Sequence, residues 1–291
     1  AAGRRAADAF AAAGDEFGVA IVTDVLGGIA WRSGDPARAA ELHQEAADRL
    51  GALGALGPQA RALNNVGSAM WALGDDRGAE LVHERALAIC RSLEDRQGEG
   101  DNLDNLGGVA YVRGEFEAAI DLYQRALAIR RAADDPWGVS ISLSNLGDAH
   151  RALGDSTAAL AYYDESLEVN RAAGVVRNEA TTLQARGLAL LDLGRFDDAR
   201  GVLDTAAAMH DELGDRANLL QTWCGSLDVA VAAADRDAID ALTARLVGAL
   251  EPTDRPLLRQ EVAGSVAEAF AAIGDAADAR RHASPAFVPM G

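Results

Sequence analysis

Aromatic residues are scarce in this chain of 291 residues, at 5% of positions, although half of it is hydrophobic. Alanine and leucine therefore do most of the filling, which suits closely packed helices. Cysteine is nearly absent. Cys90 and Cys224 are too few for a disulfide framework, and two thiols in a chain this long suit a reducing cytoplasm. Positive charge is also short, with 27 Lys and Arg against 45 Asp and Glu, a net charge of −18. Direct nucleic-acid binding needs clustered basic residues, so that class is disfavoured, as is an anionic membrane surface. No apolar run approaches the roughly 20 residues of a membrane span. The catalytic motifs G-x-x-x-x-G-K-[ST], G-x-S-x-G and H-E-x-x-H are missing, and with them the signals of an enzyme. Gly51-Ala52-Leu53-Gly54 lacks the preceding strand a phosphate loop needs. No cofactor is expected, and no metal: His43 and His83 share a column without carboxylate or thiol partners at ligand spacing.

What is present is a period of forty. Gly34, Gly74, Gly114, Gly154 and Gly194 fall on it, Ala234 takes the next slot and Gly274 the one after. Seven residues before these slots stand Gly27, Gly67, Gly107, Gly147 and Gly187, then Leu227 and Ala267. Five residues after them stand Ala39, Ala79, Ala119, Ala159, Ala199, Ile239 and Ala279. Small columns let two backbones approach, and large columns such as Leu63, Leu103, Leu143 and Leu183 fill the space between them. Such self-similarity marks stacked helical repeats.

Within 57–96, Gly57-Pro58 opens a first helix. Its apolar residues Ala62, Leu63, Val66, Ala69, Met70 and Leu73 follow three-four spacing, and Gly74 closes it. Asp75 is the expected N-cap of the second helix, which ends near Ser92. The corresponding cap slots hold Asp35, Glu115, Asp155, Asp235 and Asp275, with Arg195 as the departure. Glu94-Asp95-Arg96 and Asp134-Asp135-Pro136 read as polar links, as do Gly214-Asp215-Arg216 and Thr253-Asp254-Arg255-Pro256. About fifteen helices are expected. The units fall near 1–16 (partial), 17–56, 57–96, 97–136, 137–176, 177–216, 217–256 (degenerate) and 257–283 (partial), one array over 1–283, with an irregular tail at 284–291. The degenerate sixth unit should open first. The chain reads as a fragment of something longer, because it opens in what resembles a second helix and has no initiating Met.

At these columns the chain resembles the tetratricopeptide repeat family: the third repeat carries Leu103, Leu106, Gly107, Ala110, Gly114, Ala119, Tyr123 and Ala126 at the family's positions. The forty-residue unit is similar to those of kinesin light chains and Leu-Gly-Asn scaffolds. It is also similar to the C-terminal sensor arrays of bacterial signal-transduction ATPases, including transcription regulators, and the Ala, Arg, Asp and Gly richness weakly favours that bacterial group. The resemblance implies an all-α, right-handed superhelical solenoid of about seven helix-turn-helix repeats. Its first helices would line a groove for a protein or peptide, which could be another domain of the same parent chain. The implied role is a non-catalytic, cytoplasmic sensor or regulatory arm; a free-standing adaptor or scaffold is the alternative. A small-molecule inducer and self-association stay open as further partners.

The groove residues so implied are Asn65, Asn105 and Asn145, preceded by Asn64, Asp104 and Ser144, with Arg61, Asp101, Ser68, Asp148, Arg151, Trp71 and Tyr111 beside them and Trp31 in the Trp71 column. An amide offers a donor and an acceptor to a peptide main chain. The same asparagines fit a purely structural role, bonding between repeats. Trp31, Trp71 and Tyr111 equally fit packing between helices. Trp137 is expected to be a packing plug in its link, Trp223 a core residue, and Cys90 a small hydrophobe.

Overall fold

The computed structural model describes residues 2–250 and 256–274. Fourteen α-helices and no strand occur among them. In chain order they are α1 (Ala2–Ala12), α2 (Glu16–Arg32), α3 (Pro36–Ala52), α4 (Leu56–Ala72), α5 (Asp76–Ser92), α6 (Arg96–Val112) and α7 (Phe116–Ala132), then α8 (Pro136–Ala152), α9 (Ser156–Ala173), α10 (Val176–Asp192), α11 (Phe196–Glu212), α12 (Arg216–Ala232), α13 (Arg236–Ala249) and α14 (Pro256–Ala272). The chain divides into two compact units within α8, between Ala149 and His150. Each is a stack of antiparallel helix pairs. The expected cap Asp275, the column residue Ala279, the link residues 253–255 and the tail 284–291 lie outside the described residues.

The links follow a tighter rule than the forty-residue period. Most helices have 17 residues, and three residues join most of them to the next. The middle link residue has positive φ every twenty positions: Gly14, Gly34, Gly54, Gly74, Glu94, Gly114, Asp134 and so on to Gly214 and Ala234. The third link residue closes one helix and opens the next. Asp35 N–H donates to the Ala30 carbonyl, five residues back, while its Oδ1 accepts from the Arg38 N–H. The same pair of bonds recurs at Asp15, Asp75, Asp95, Asp135, Asp155, Asp215 and Asp235. A helix C-terminal motif and an N-cap are thus fused on one residue. The sequence columns anticipate these caps only for the second helices; Asp15, Asp95, Asp135 and Asp215 do the same for first helices. Glu115 corrects the expectation in the other direction. It stands in the cap slot but makes no side-chain cap bond, its carboxylate being one methylene further out than that of Asp. Arg195 binds Asp198 instead.

The glycine column seven residues before the turn has a direct partner nine residues after the turn. A Cβ on Gly27 would lie 2.8 Å from the His43 ring, one on Gly67 2.5 Å from that of His83, and one on Gly187 2.6 Å from Leu203 Cγ. Tyr123 covers Gly107 in the same way. The bulky residue of the second helix therefore rests on bare backbone of the first, and the exchange of glycine for any larger residue would separate them. His43 and His83 are buried. His43 Nδ1 is 2.6 Å from Asp24, and His83 Nδ1 is 3.3 Å from Asn102 Oδ1. Burial pulls the His83 imidazole down to about 4, the Asn102 bond opposing it, so the ring is neutral at pH 7. In the sixth repeat the sizes are exchanged. Leu227 takes the glycine slot and Thr243 the bulky one, and both are buried.

Trp223 is core, as expected, with Leu220, Leu227, Ile239 and Phe270. Trp137 is not the expected plug: it is 52% exposed. Cys90 is buried, and burial with nearby carboxylates pushes its thiol up to about 11, so it stays protonated and inert.

Candidate functional site

Three first helices of the first unit, α4, α6 and α8, turn a polar face to a pair of adjoining clefts. The larger, about 410 Å³, is lined from α4 by Asn64, Ser68 and Trp71, and from α6 by Asp101, Asp104, Asn105 and Gly108. Trp137, Ile141 and Asn145 come from α8, while Tyr123 and Arg130 of α7 form its base. The smaller, about 270 Å³, holds Asp24, Arg61, Asn65, Cys90, Asp95 and Asn102, and shares Asn64 and Asp101 with the first. Positions 61, 64, 65, 68 and 71, and again 101, 104, 105 and 108, are three or four apart, so each set lies along one helix face.

Nine of the fourteen residues expected in the groove line these clefts, and Trp31, Tyr111, Ser144, Asp148 and Arg151 do not. Tyr111 shares the Trp71 column but packs on Phe116, with ring centroids 5.4 Å apart. Arg151 pairs with Asp192 at 2.6 Å in the second unit. Asp148 lies in the first unit outside both linings.

The asparagines are not one ladder of equivalent amides. Asn105 Nδ2 donates to Asn64 Oδ1 at 2.7 Å, tying α6 to α4. Asn65 opens into the smaller cleft and Asn145 into the larger. The column is therefore divided: Asn105 ties two helices together, whereas Asn65 and Asn145 open into clefts.

Arg130 is the residue that sequence reasoning missed. It is 3% exposed and sits where the neighbouring repeats carry Leu50, Cys90, Asn170 and His210. A charge in an inward column was the available signal. Its Nε donates to Asp104 Oδ2 at 3.0 Å, its Nη2 to Asp101 Oδ1 at 2.8 Å and its Nη1 to Asp135 Oδ2 at 2.9 Å. The Ser142 hydroxyl lies 3.0 Å from each Asp104 oxygen. Gly138 leaves the guanidinium its place, since a Cβ there would collide with Arg130 Nη1. Burial pushes Asp104 up to about 6, only partly offset by Arg130 and Ser142. Burial also raises Asp101, Arg130 opposing and Asp135 and Asp95 adding to the rise. Arg130 itself is pulled down by burial but raised overall by Asp104 and Asp101. The carboxyl groups of three aspartates thus surround one guanidinium.

Trp71 is 38% exposed and lies across α6, where a Cβ on Gly108 would meet its Cη2 at 3.4 Å. The clefts thus offer amides, carboxylates and two open indoles, and no nucleophile paired with a base. Among the described residues no group of three or more His, Cys, Asp or Glu is placed to hold a metal ion, and no helix is long and apolar enough to cross a membrane.

Helix pairs of near-constant length, stacked through a glycine-and-bulky-residue contact and lined with polar side chains on their first helices, define a helical repeat protein. The tetratricopeptide repeat model matches residues 18–92, 58–132, 99–172 and 138–212, and the chain belongs to that family. Solved structures share the fold. BtubC from P. vanneervenii is 22% identical, with 74% of this chain and 92% of that one covered and a TM-score of 0.63. A Rap protein in complex with Competence and Sporulation Factor is 14% identical over 92% of this chain and 72% of that one, with a TM-score of 0.70. A signal-transduction ATPase with a tetratricopeptide repeat sensor, from Pyrococcus horikoshii, is 16% identical over 91% of this chain and 40% of that one, with a TM-score of 0.69. No curated protein matches the chain by sequence.

Proposed function

We propose that this chain is a non-catalytic peptide-binding repeat domain that serves as the sensor or regulatory arm of a larger bacterial signalling or transcription regulator. The observation that carries the reading is the pair of clefts on α4, α6 and α8, where amides, carboxylates and exposed indoles converge on consecutive first helices. Open indoles and amides can hold an extended chain by its backbone and apolar side chains. Two similar structures lend support: the Rap protein is seen with a factor bound, and the ATPase carries its repeats as a sensor. In such an arm, ligand binding is coupled to distant domains through a difference in affinity between two states. The second reading is an adaptor that docks a partner peptide in the same clefts without a switch.

The test is a screen of synthetic peptides by tryptophan fluorescence, repeated on a chain with Asn65, Asn105 and Asn145 all replaced by alanine. Binding is expected to be lost while helicity by circular dichroism is unchanged. Unchanged affinity in the triple variant would sink the groove assignment.

A further inference from the structure

The larger cleft is built for one sign of charge. Its floor carries Asp101 and Asp104, and the nearby Asp135 completes a ring of three carboxylates around the single guanidinium of Arg130. Arg130 is 3% exposed and presents no cation to a ligand. Asp101 is different, its side chain being 37% exposed. Arg130 holds its Oδ1, and its Oδ2 has no partner among the described residues. The adjoining cleft adds Asp24 and Asp95 against Arg61 alone. An anionic side chain entering here would meet uncompensated carboxylates.

The walls select further. Trp71 and Trp137, 38% and 52% exposed, both face the larger cleft. Indole faces attract cations, and a planar guanidinium also stacks on them. Asn145, whose side chain makes no hydrogen bond within the described residues, supplies an amide oxygen beside them. A lysine ammonium would use the carboxylate and the attraction of the indole faces but could not stack flat on them.

We propose that this cleft recognises an arginine side chain of the bound peptide, its guanidinium lying against Trp71 and Trp137 and donating to Asp101 Oδ2. The proposal rests on the peptide-binding reading and gives that reading a ligand class: a basic peptide rather than an acidic one. Arg130 is then a positioning residue, fixing Asp101 and Asp104 without touching the ligand.

Short blocked peptides differing only in a central arginine, lysine, norleucine or glutamate test this, titrated into the whole chain while the indole resonances are followed by NMR. The arginine peptide should bind about tenfold tighter than the glutamate peptide, with lysine between them, and should move the signals of Trp71 and Trp137. Asp101→Asn should weaken the arginine peptide about fivefold to tenfold and leave norleucine unchanged. Trp71→Ala should weaken it by a similar factor, which guards against a folding defect in either variant; circular dichroism and an Asp240→Asn control verify the fold. Glutamate or norleucine binding as tightly as arginine in the same cleft would overturn the cation assignment and leave the peptide groove standing. If no peptide of any charge perturbs either indole, both readings fall. If guanidinium chloride alone binds as tightly as the arginine peptide, the occupant is a small cation, and the peptide proposal is overturned.

Discussion

The same inward column of the second helices is managed differently in the two units. In the first it carries Leu50, Cys90 and Arg130, and the one charged member is saturated by Asp101, Asp104 and Asp135. In the second it carries Asn170 and His210, both fully buried. Among the described residues neither His210 nitrogen nor the Asn170 Oδ1 has a hydrogen-bond partner, and the Trp223 Nε1 and Thr243 hydroxyl are likewise unpaired. Ion pairs such as Arg171 with Glu179 and Arg186 with Asp164 lie at the surface of the second unit instead. Exposed pairs contribute little, about 1 kcal/mol at most. The first unit thus keeps its polar interior satisfied around a cleft, whereas the second tolerates orphaned groups inside a larger apolar cluster. A buried polar group is retained at low cost only where a network completes it.

The sharpest way to break this comparison is Arg130→Met. It leaves Asp104 buried beside Asp101 without a counter-charge and should cost about 3–5 kcal/mol. Hydrogen exchange should then quicken across α6 to α8 with the second unit unaffected; equal loosening of both would refute the local network.

A second large effect is set by pH. His83 has a folded pKa of about 4, depressed by burial from 6.5. A base with a depressed folded pKa loses stability as pH falls through the window between those values, here from 6.5 to 4, by up to roughly 3 kcal/mol. Asp104 acts in the opposite sense. Its folded pKa of about 6 lies above the unfolded value, so stability falls as pH rises from about 4 to 6. Denaturation of His83→Tyr, the residue type of Tyr123 in that column, should lose the acid-side slope. Asp104→Asn should lose the other, and retention of either slope would displace its assigned group.

In the second unit the sign is reversed by His210→Leu. Removing two unpaired buried nitrogens should stabilise by about 1–2 kcal/mol, read from the denaturant midpoint; destabilisation would mean that His210 has partners after all. The smallest effect is expected for Ala234→Gly. Ala234 holds φ at 53° where glycine would be unstrained, so the change should add about 1 kcal/mol. A neutral result would show that the degenerate sixth repeat has relaxed around its alanine.

Much of this was legible in the residues. The forty-residue columns identify the helices, the glycine turns and the acidic caps of the second helices, because those features recur at fixed spacing. The twenty-residue rule was hidden since Glu94 and Asp134 replace glycine at the left-handed position, and Ala55 and Val175 replace aspartate at the cap. The face of the first helices could be read from three-four spacing, and with it most of the cleft lining. Partnerships across repeats could not. Nothing in one column says that Asn105 spends its amide on Asn64, that Arg151 turns to Asp192, or that Trp137 stands open. Arg130 was visible as an anomaly, but its three carboxylates come from α6 and from the link before α8, and only folding brings them together.

The fused cap has one more consequence. Because a single residue ends one helix and begins the next, the chain has no slack in which to absorb an inserted or deleted residue. Lengthening by twenty residues would keep every turn intact but exchange the roles of first and second helices downstream. Lengthening by forty would keep both. A chain with this grammar can be duplicated or trimmed without penalty only in whole pairs of helices, so its length is counted in steps of one repeat, and which face each added step turns to the cleft side is decided in advance.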